Sequence, residues 1–306
     1  MASNTPPADI NEILLGYFAL GGTWQGYQKQ REVKAQLNTR RKKVTDDQYQ
    51  VQLFRAMVMA DATLVWAKKN GYRGKVAKAW WTARPGILSA AVGYTVDSSK
   101  NPTDTLIQFT NGQVLGISAK STKGTGDIGF KNPGVGTVEQ SLAIKLKPTI
   151  KRDEDAFVKR FGLSGPKTTR KREIRNNPKI ITESNDARDT LLRTLRDALY
   201  KKLGTMSQPK LRQYILDGWM DARDVIAPPY IKVTGHGARA PFTATLVDPL
   251  KDDKSVAVQV KKITIQKVGN DSVGILAGSN RIMKMRVKYE SQAMASSVKF
   301  SGDPWK

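Results

Sequence analysis

Cysteine is absent from the 306 residues, and His236 is the only histidine. The first absence excludes a disulfide framework, thiolate zinc ligation and a cysteine nucleophile. The second excludes zinc sites and nuclease centres that need two or more imidazoles. His236 lies in "TGHGARAP", which reads as a turn, so a solvated loop side chain is expected rather than a base. Long apolar runs are also missing, and none approaches the roughly 18 residues of a membrane-spanning helix. The opening "MASNTPPADINEILL" has no basic n-region; a cytoplasmic chain is expected, in a host cytoplasm if the protein is viral.

Acidic residues are scarce. Only 27 Asp and Glu face 51 Lys and Arg, a formal charge of +24, and a field of that sign draws in polyanions. DNA is the expected partner, RNA the alternative polyanion and a second copy of the chain a further one; no membrane partner is expected. With 39% hydrophobic residues the chain has enough apolar material for a core.

Helical spacing marks residues 9–20, where Asp9 and Glu12 stand at capping-box separation before Gly21-Gly22. After the basic stretch "QKQREVKAQLNTRRKKV", a second helix is predicted over 46–69, with Leu53, Met57, Ala60 and Leu64 on its apolar face. Short apolar segments broken by Gly, Pro and Asn then predict a sheet region up to about Lys147. Residues 151–180 are the most charged part of the chain and read as a basic loop or linker. Beyond it, Leu191, Leu195 and Leu199 make a helical stripe, followed by several strand-like segments.

The segments "DTLIQF" and "QVLGISAK" flank "TNG", a hairpin signal. A loop of Asn111-Gly112 alone would mix polar and apolar residues on both faces. A loop of Thr110-Asn111-Gly112, with Gly112 left-handed, instead puts Thr105, Ile107 and Phe109 on one face with Leu115, Ile117 and Ala119. The other face then gathers Asp104, Ser118 and Lys120 at one end of the hairpin.

Asp104 before one strand and Ser118-Ala119-Lys120 at the end of the next resemble the motif of the PD-(D/E)xK nuclease superfamily, with Pro102-Thr103-Asp104 matching its "PD" plus one inserted residue. The resemblance covers residues 9–147. It implies an α/β, restriction-endonuclease-like fold, a mixed central sheet flanked by helices, here followed by a C-terminal α+β extension. It also implies a Mg²⁺-dependent endonuclease that leaves 5′-phosphates, with Asp104 as metal ligand and Lys120 beside the attacking water. Such chemistry uses a hard cation to neutralise the phosphate, generate hydroxide and stabilise the leaving oxygen. The sequence departs from the family where Ser118 replaces the motif acid. An acid on the first core helix is common in these families and Glu12 matches it, either as a second metal ligand or as the partner of Asp9 in a cap; Asp61 and Glu139 are weaker candidates.

The implied organisation is a catalytic core over 1–150, a basic linker over 151–180 and a helical and β-rich nucleic-acid-binding region over 181–306. Lys123, Lys131, Arg170, Lys171, Arg172, Lys261, Lys262, Arg286, Lys288 and Lys299 are the candidate backbone contacts. Trp80, Trp81 and Trp305 are read as core residues more than as base-stacking ones. Gly124, Gly126 and Gly129 fit GxGxxG after a strand, but Asn132-Pro133-Gly134 follows where a helix would have to open, so no dinucleotide site is expected. The rival to an enzyme is a basic nucleic-acid-binding protein without catalysis, either a degenerate nuclease or a viral structural or packaging protein.

Overall fold

In the computed structural model, which describes residues 6–97, 101–124, 130–222 and 227–305, the hairpin closes through Thr110-Asn111-Gly112. Phe109 N–H donates to the Gln113 carbonyl at 2.9 Å, and Gly112 is left-handed at φ 86°, a conformation that costs glycine nothing. The strands it joins, β2 (Thr105–Phe109) and β3 (Val114–Thr122), pair Thr105 with Ile117 and Ile107 with Leu115, the register the hydrophobic pattern predicts.

The chain forms two compact units, and each owns two stretches of sequence. The first comprises Met1–Ile128 and Arg223–Asp252, the second Gly129–Ala222 and Asp253–Lys306. This division differs from the consecutive one expected above. The first unit holds the helices α1 (Pro6–Ala19), α2 (Gln30–Arg41), α3 (Asp46–Lys69) and α4 (Ile87–Val92), and strand β1 (Val76–Trp81). Two further strands, β4 (Tyr230–His236) and β5 (Thr243–Val247), complete a mixed sheet of order β1-β2-β3-β4-β5. Only the β3–β4 pair is parallel.

A parallel pair requires a long crossover, and here the connection leaves the unit and returns more than a hundred residues later. Ile10 and Ile13 of α1, Met59 of α3, Ile107, Ile117 and Val233 form one core. Gly116 on β3 fits against Thr103 and Tyr230 with no room for a Cβ. Gly116→Ala is expected to lower stability by about 1–3 kcal/mol through overpacking, as read by urea unfolding.

Several local expectations change. α1 already includes Pro6, so Asp9 and Glu12 lie inside the helix and form no capping box. The box sits instead at α3, where Thr45 and Gln48 exchange bonds of 3.1 and 3.2 Å. The buried side of α3 is carried by Gln52, Arg55, Ala56, Met59, Ala60 and Thr63, whereas Leu53, Met57 and Leu64 are half-buried. The basic stretch before it is α2, anchored by Val33 and Leu37 four residues apart. His236 is the buried end of a strand, with Nε2 bonded to Thr245 Oγ1 at 2.8 Å and Nδ1 to the Gly124 carbonyl at 3.0 Å.

The second unit carries the helices α5 (Val135–Leu142), α6 (Lys147–Arg160), α7 (Lys167–Asn176), α8 (Pro178–Gly204), α9 (Gln208–Ile215) and α10 (Asp253–Val260), with a π-turn over Leu216–Met220. Its antiparallel sheet runs β6 (Ile263–Val268), β7 (Ser272–Ala277), β8 (Asn280–Tyr289) and β9 (Val298–Pro304) in sequence order. The predicted stripe of Leu191, Leu195 and Leu199 is buried in its core. Residues 151–180 are therefore no linker: they are most of α6, all of α7 and the start of α8.

Candidate active site

Asp104 stands just before β2, and its backbone is tied on both sides. Its N–H donates to the Ile117 carbonyl at 2.9 Å, and its carbonyl accepts from Thr82 N–H at 3.0 Å. Both its amide and its carboxylate thus reach β3, the first at Ile117 and the second at Ala119, so the side chain lies over the end of that strand. Asp104 Oδ2 accepts from Ala119 N–H at 2.8 Å, lies 3.3 Å from Lys120 Nζ and 3.4 Å from Ser118 Oγ. Among the described residues Oδ1 has no hydrogen-bond partner. The expected grouping of Asp104, Ser118 and Lys120 at one end of the hairpin is thus present. Ser118 itself is buried and does not line the adjoining cavity, so it supports Asp104 rather than facing a ligand.

Glu12 joins them from α1. It is 5% exposed, its Oε2 accepts from Trp81 Nε1–H at 2.9 Å, and its backbone carbonyl accepts from Thr105 Oγ1 at 2.8 Å. Burial, and next the neighbouring Asp104 carboxylate, push the Glu12 carboxyl up to about 8 against the opposing pull of Trp81 and Lys120. Burial also raises Asp104, while Lys120 and the Ala119 amide pull it back.

Glu12, Asp104 and Lys120 line one cavity of about 760 Å³, with Gln48, Gln52 and Arg55 of α3 opposite and Ser121, Thr122 and Lys123 beyond the lysine. Arg55 is pinned by Nε to the Gly237 carbonyl at 2.8 Å. Gln52 Oε1 is buried without a partner. The donor set suits a hard divalent cation: Glu12 and Asp104 line one cavity, each keeps an oxygen with no protein partner among the described residues, and the Lys120 ammonium lies beside Asp104. Among the described residues no group of three or more Asp, Glu, His or Cys side chains is placed to hold a metal.

Trp81 was legible only as a core residue; its role as donor to Glu12 spans 69 positions in sequence and leaves no local signal. Trp81→Phe keeps the ring but removes the N–H. It is expected to raise the pH at which Glu12 loses its proton by about one unit, as read from the pH dependence of urea unfolding.

The weaker acids lie elsewhere. Asp61 is exposed on α3 and outside the cavity lining, and Glu139 in the second unit accepts from the Leu146 and Lys147 amides at 2.7 Å each. Of the basic candidates, Lys123 lines the cavity. Several in the second unit are neutralised internally: Lys131 pairs with Asp221, Arg286 with Asp271 at 2.8 Å, and Lys299 with Glu290. Lys261 and Lys262 are exposed just before β6, Lys288 is half-buried opposite Lys299, and Arg170, Lys171 and Arg172 are on α7. Trp80 is half-buried, as is Trp305, which packs on Gly274. Gly126 and Gly129 lie outside the described residues. Among the described residues no helix is long and apolar enough to cross a membrane.

No family model matches the chain, and neither a curated protein nor a solved structure matches it.

Proposed function

We propose that the chain is a metal-dependent endonuclease of restriction-endonuclease-like fold that hydrolyses DNA phosphodiester bonds in the cavity of the first unit. One observation carries the reading: Glu12 and Asp104, 92 positions apart in sequence, face the same cavity as Lys120, whose ammonium is 3.3 Å from Asp104. The mixed sheet with helical cover supports the fold assignment, and the formal charge of +24 supports a polyanionic substrate.

Asp104 and Glu12 would hold Mg²⁺, which supplies Lewis-acid polarisation of the phosphate. Lys120 holds a positive charge beside Asp104, where it orients a water and offsets charge developing on the phosphoryl oxygens. Ser118 and the Ala119 amide fix the Asp104 carboxylate. Trp81 does the same for Glu12. Ionised Glu12 is the ligating form and burial holds it protonated in the metal-free chain, so metal binding would displace a proton and strengthen as pH rises.

The rival reading, a nucleic-acid-binding protein without catalysis, is favoured by one feature, the hydroxyl of Ser118 where the motif has an acid. Incubation with supercoiled plasmid, single-stranded DNA and RNA, each with Mg²⁺, Mn²⁺ or EDTA, separates the two. The enzyme reading expects metal-dependent nicks with 5′-phosphate ends on DNA. Intact substrates in every arm would leave the binding protein.

A further inference from the structure

The second unit holds thirty Lys and Arg against fifteen Asp and Glu, and α7 is its helix with the largest excess of cations over acids. This ten-residue helix, KTTRKREIRN, has five cations and one acid, and Ile174 is its only buried residue. Lys167 and Arg170 act on the Glu154 carboxylate of α6. Lys171, Arg172 and Arg175 have no carboxylate partner among the described residues, in contrast to Lys131, Arg286 and Lys299.

Of these cations only Arg175, in the last turn, suits the helix dipole. No acid stands in its first turn, where the dipole favours one. Lys167, Lys171 and Arg175 repeat at four-residue spacing, so like charges stack along one face and repel. Lys171 and Arg175 are separated by about 6 Å along the axis, close to the spacing of successive phosphates on one strand, and Arg172 extends the row sideways.

We infer that α7 is a nucleic-acid-binding helix of the second unit, with Lys171, Arg172 and Arg175 tracking the phosphate backbone without reading sequence. Anionic membrane is the poorer fit. A surface-lying helix needs an apolar face to insert, and α7 has only Ile174, which the unit itself buries. The inference is independent of catalysis by the first unit.

The test uses the full chain in EDTA, where binding is read without cleavage, by fluorescence anisotropy of a labelled DNA duplex across a salt series. The triple variant Lys171→Gln, Arg172→Gln, Arg175→Gln is compared with Lys42→Gln, Lys68→Gln, Lys69→Gln, which removes the same charge from exposed positions of the first unit. The α7 variant is expected to flatten the slope of log affinity against log salt by about 2–3 and to weaken binding roughly 10- to 100-fold. The second variant should keep most of both. Matching melting curves confirm that the two variants are folded; a destabilised triple is replaced by the three single variants, each expected to flatten the slope by about 0.9. Equal losses in both triples would reduce the effect to net charge and overturn the assignment. So would an unchanged slope, no binding by the native chain, or a loss confined to anionic vesicles of phosphatidylserine.

Discussion

Asp104→Asn and Lys120→Ala, each alone, are expected to lower Mg²⁺-dependent DNA cleavage by roughly 10²- to 10⁴-fold while leaving affinity for DNA in EDTA unchanged. Asparagine is the informative replacement at 104 because its side-chain oxygen can still accept the Ala119 amide bond of 2.8 Å, so the end of β3 stays in place. What is lost is the charge. Lys120 is partly exposed, with 42% of its side chain accessible, so its truncation removes an ammonium without opening a core cavity. Single-turnover cleavage, with binding measured separately, reads both effects. Full-rate cutting by either variant would relocate the chemistry to another part of the molecule.

Glu12→Gln is expected to change stability and its pH dependence together. The Glu12 carboxyl is raised from an ordinary value of 4.5 to about 8, chiefly by burial and then by Asp104. Between those values the folded chain keeps a proton that the unfolded chain has released. The stabilising contribution of this group is therefore complete below about pH 4.5 and is lost as pH rises through about 8.

The displacement corresponds to at most about 5 kcal/mol. Glutamine mimics the protonated acid and does not titrate. Metal-free Glu12→Gln should consequently be a few kcal/mol more stable than the native chain near pH 8 and close to it near pH 5. Mg²⁺ should narrow that gap at the higher pH by stabilising the native chain alone. Urea unfolding in EDTA across this pH range decides it. Parallel pH curves for the two proteins would show that the raised carboxyl is not Glu12.

The hairpin was legible because its information is local: alternation over two short strands and a glycine that tolerates a left-handed turn leave one sensible register. That register carried Asp104 and Lys120 to the same place. Glu12 was legible only as one of two alternatives, since the competing cap with Asp9 fails because the helix already includes the residues one turn upstream, Pro6 and Pro7. The buried side of α3 misled because Gln52, Arg55 and Thr63 face inward there while leucines lie at its margins. The basic stretches that fold as α2 and α7 each bury only one or two apolar side chains, too few to stand out among charges. His236 was misplaced because the glycines around it look like a turn, although Gly235 lies within a buried strand against Arg55 and Met59. No local pattern could reveal that β3 takes a parallel neighbour from beyond residue 229.

That last pairing has a consequence for biogenesis. On a ribosome, the strand bearing Lys120 emerges long before its parallel neighbour, and residues 129–222 of the second unit must be made between them. A nascent chain ending near residue 128 would hold the two catalytic carboxyls of the proposal and their lysine beside an unfilled sheet edge. Competence would arrive late in synthesis, and no single proteolytic cut could release either half intact.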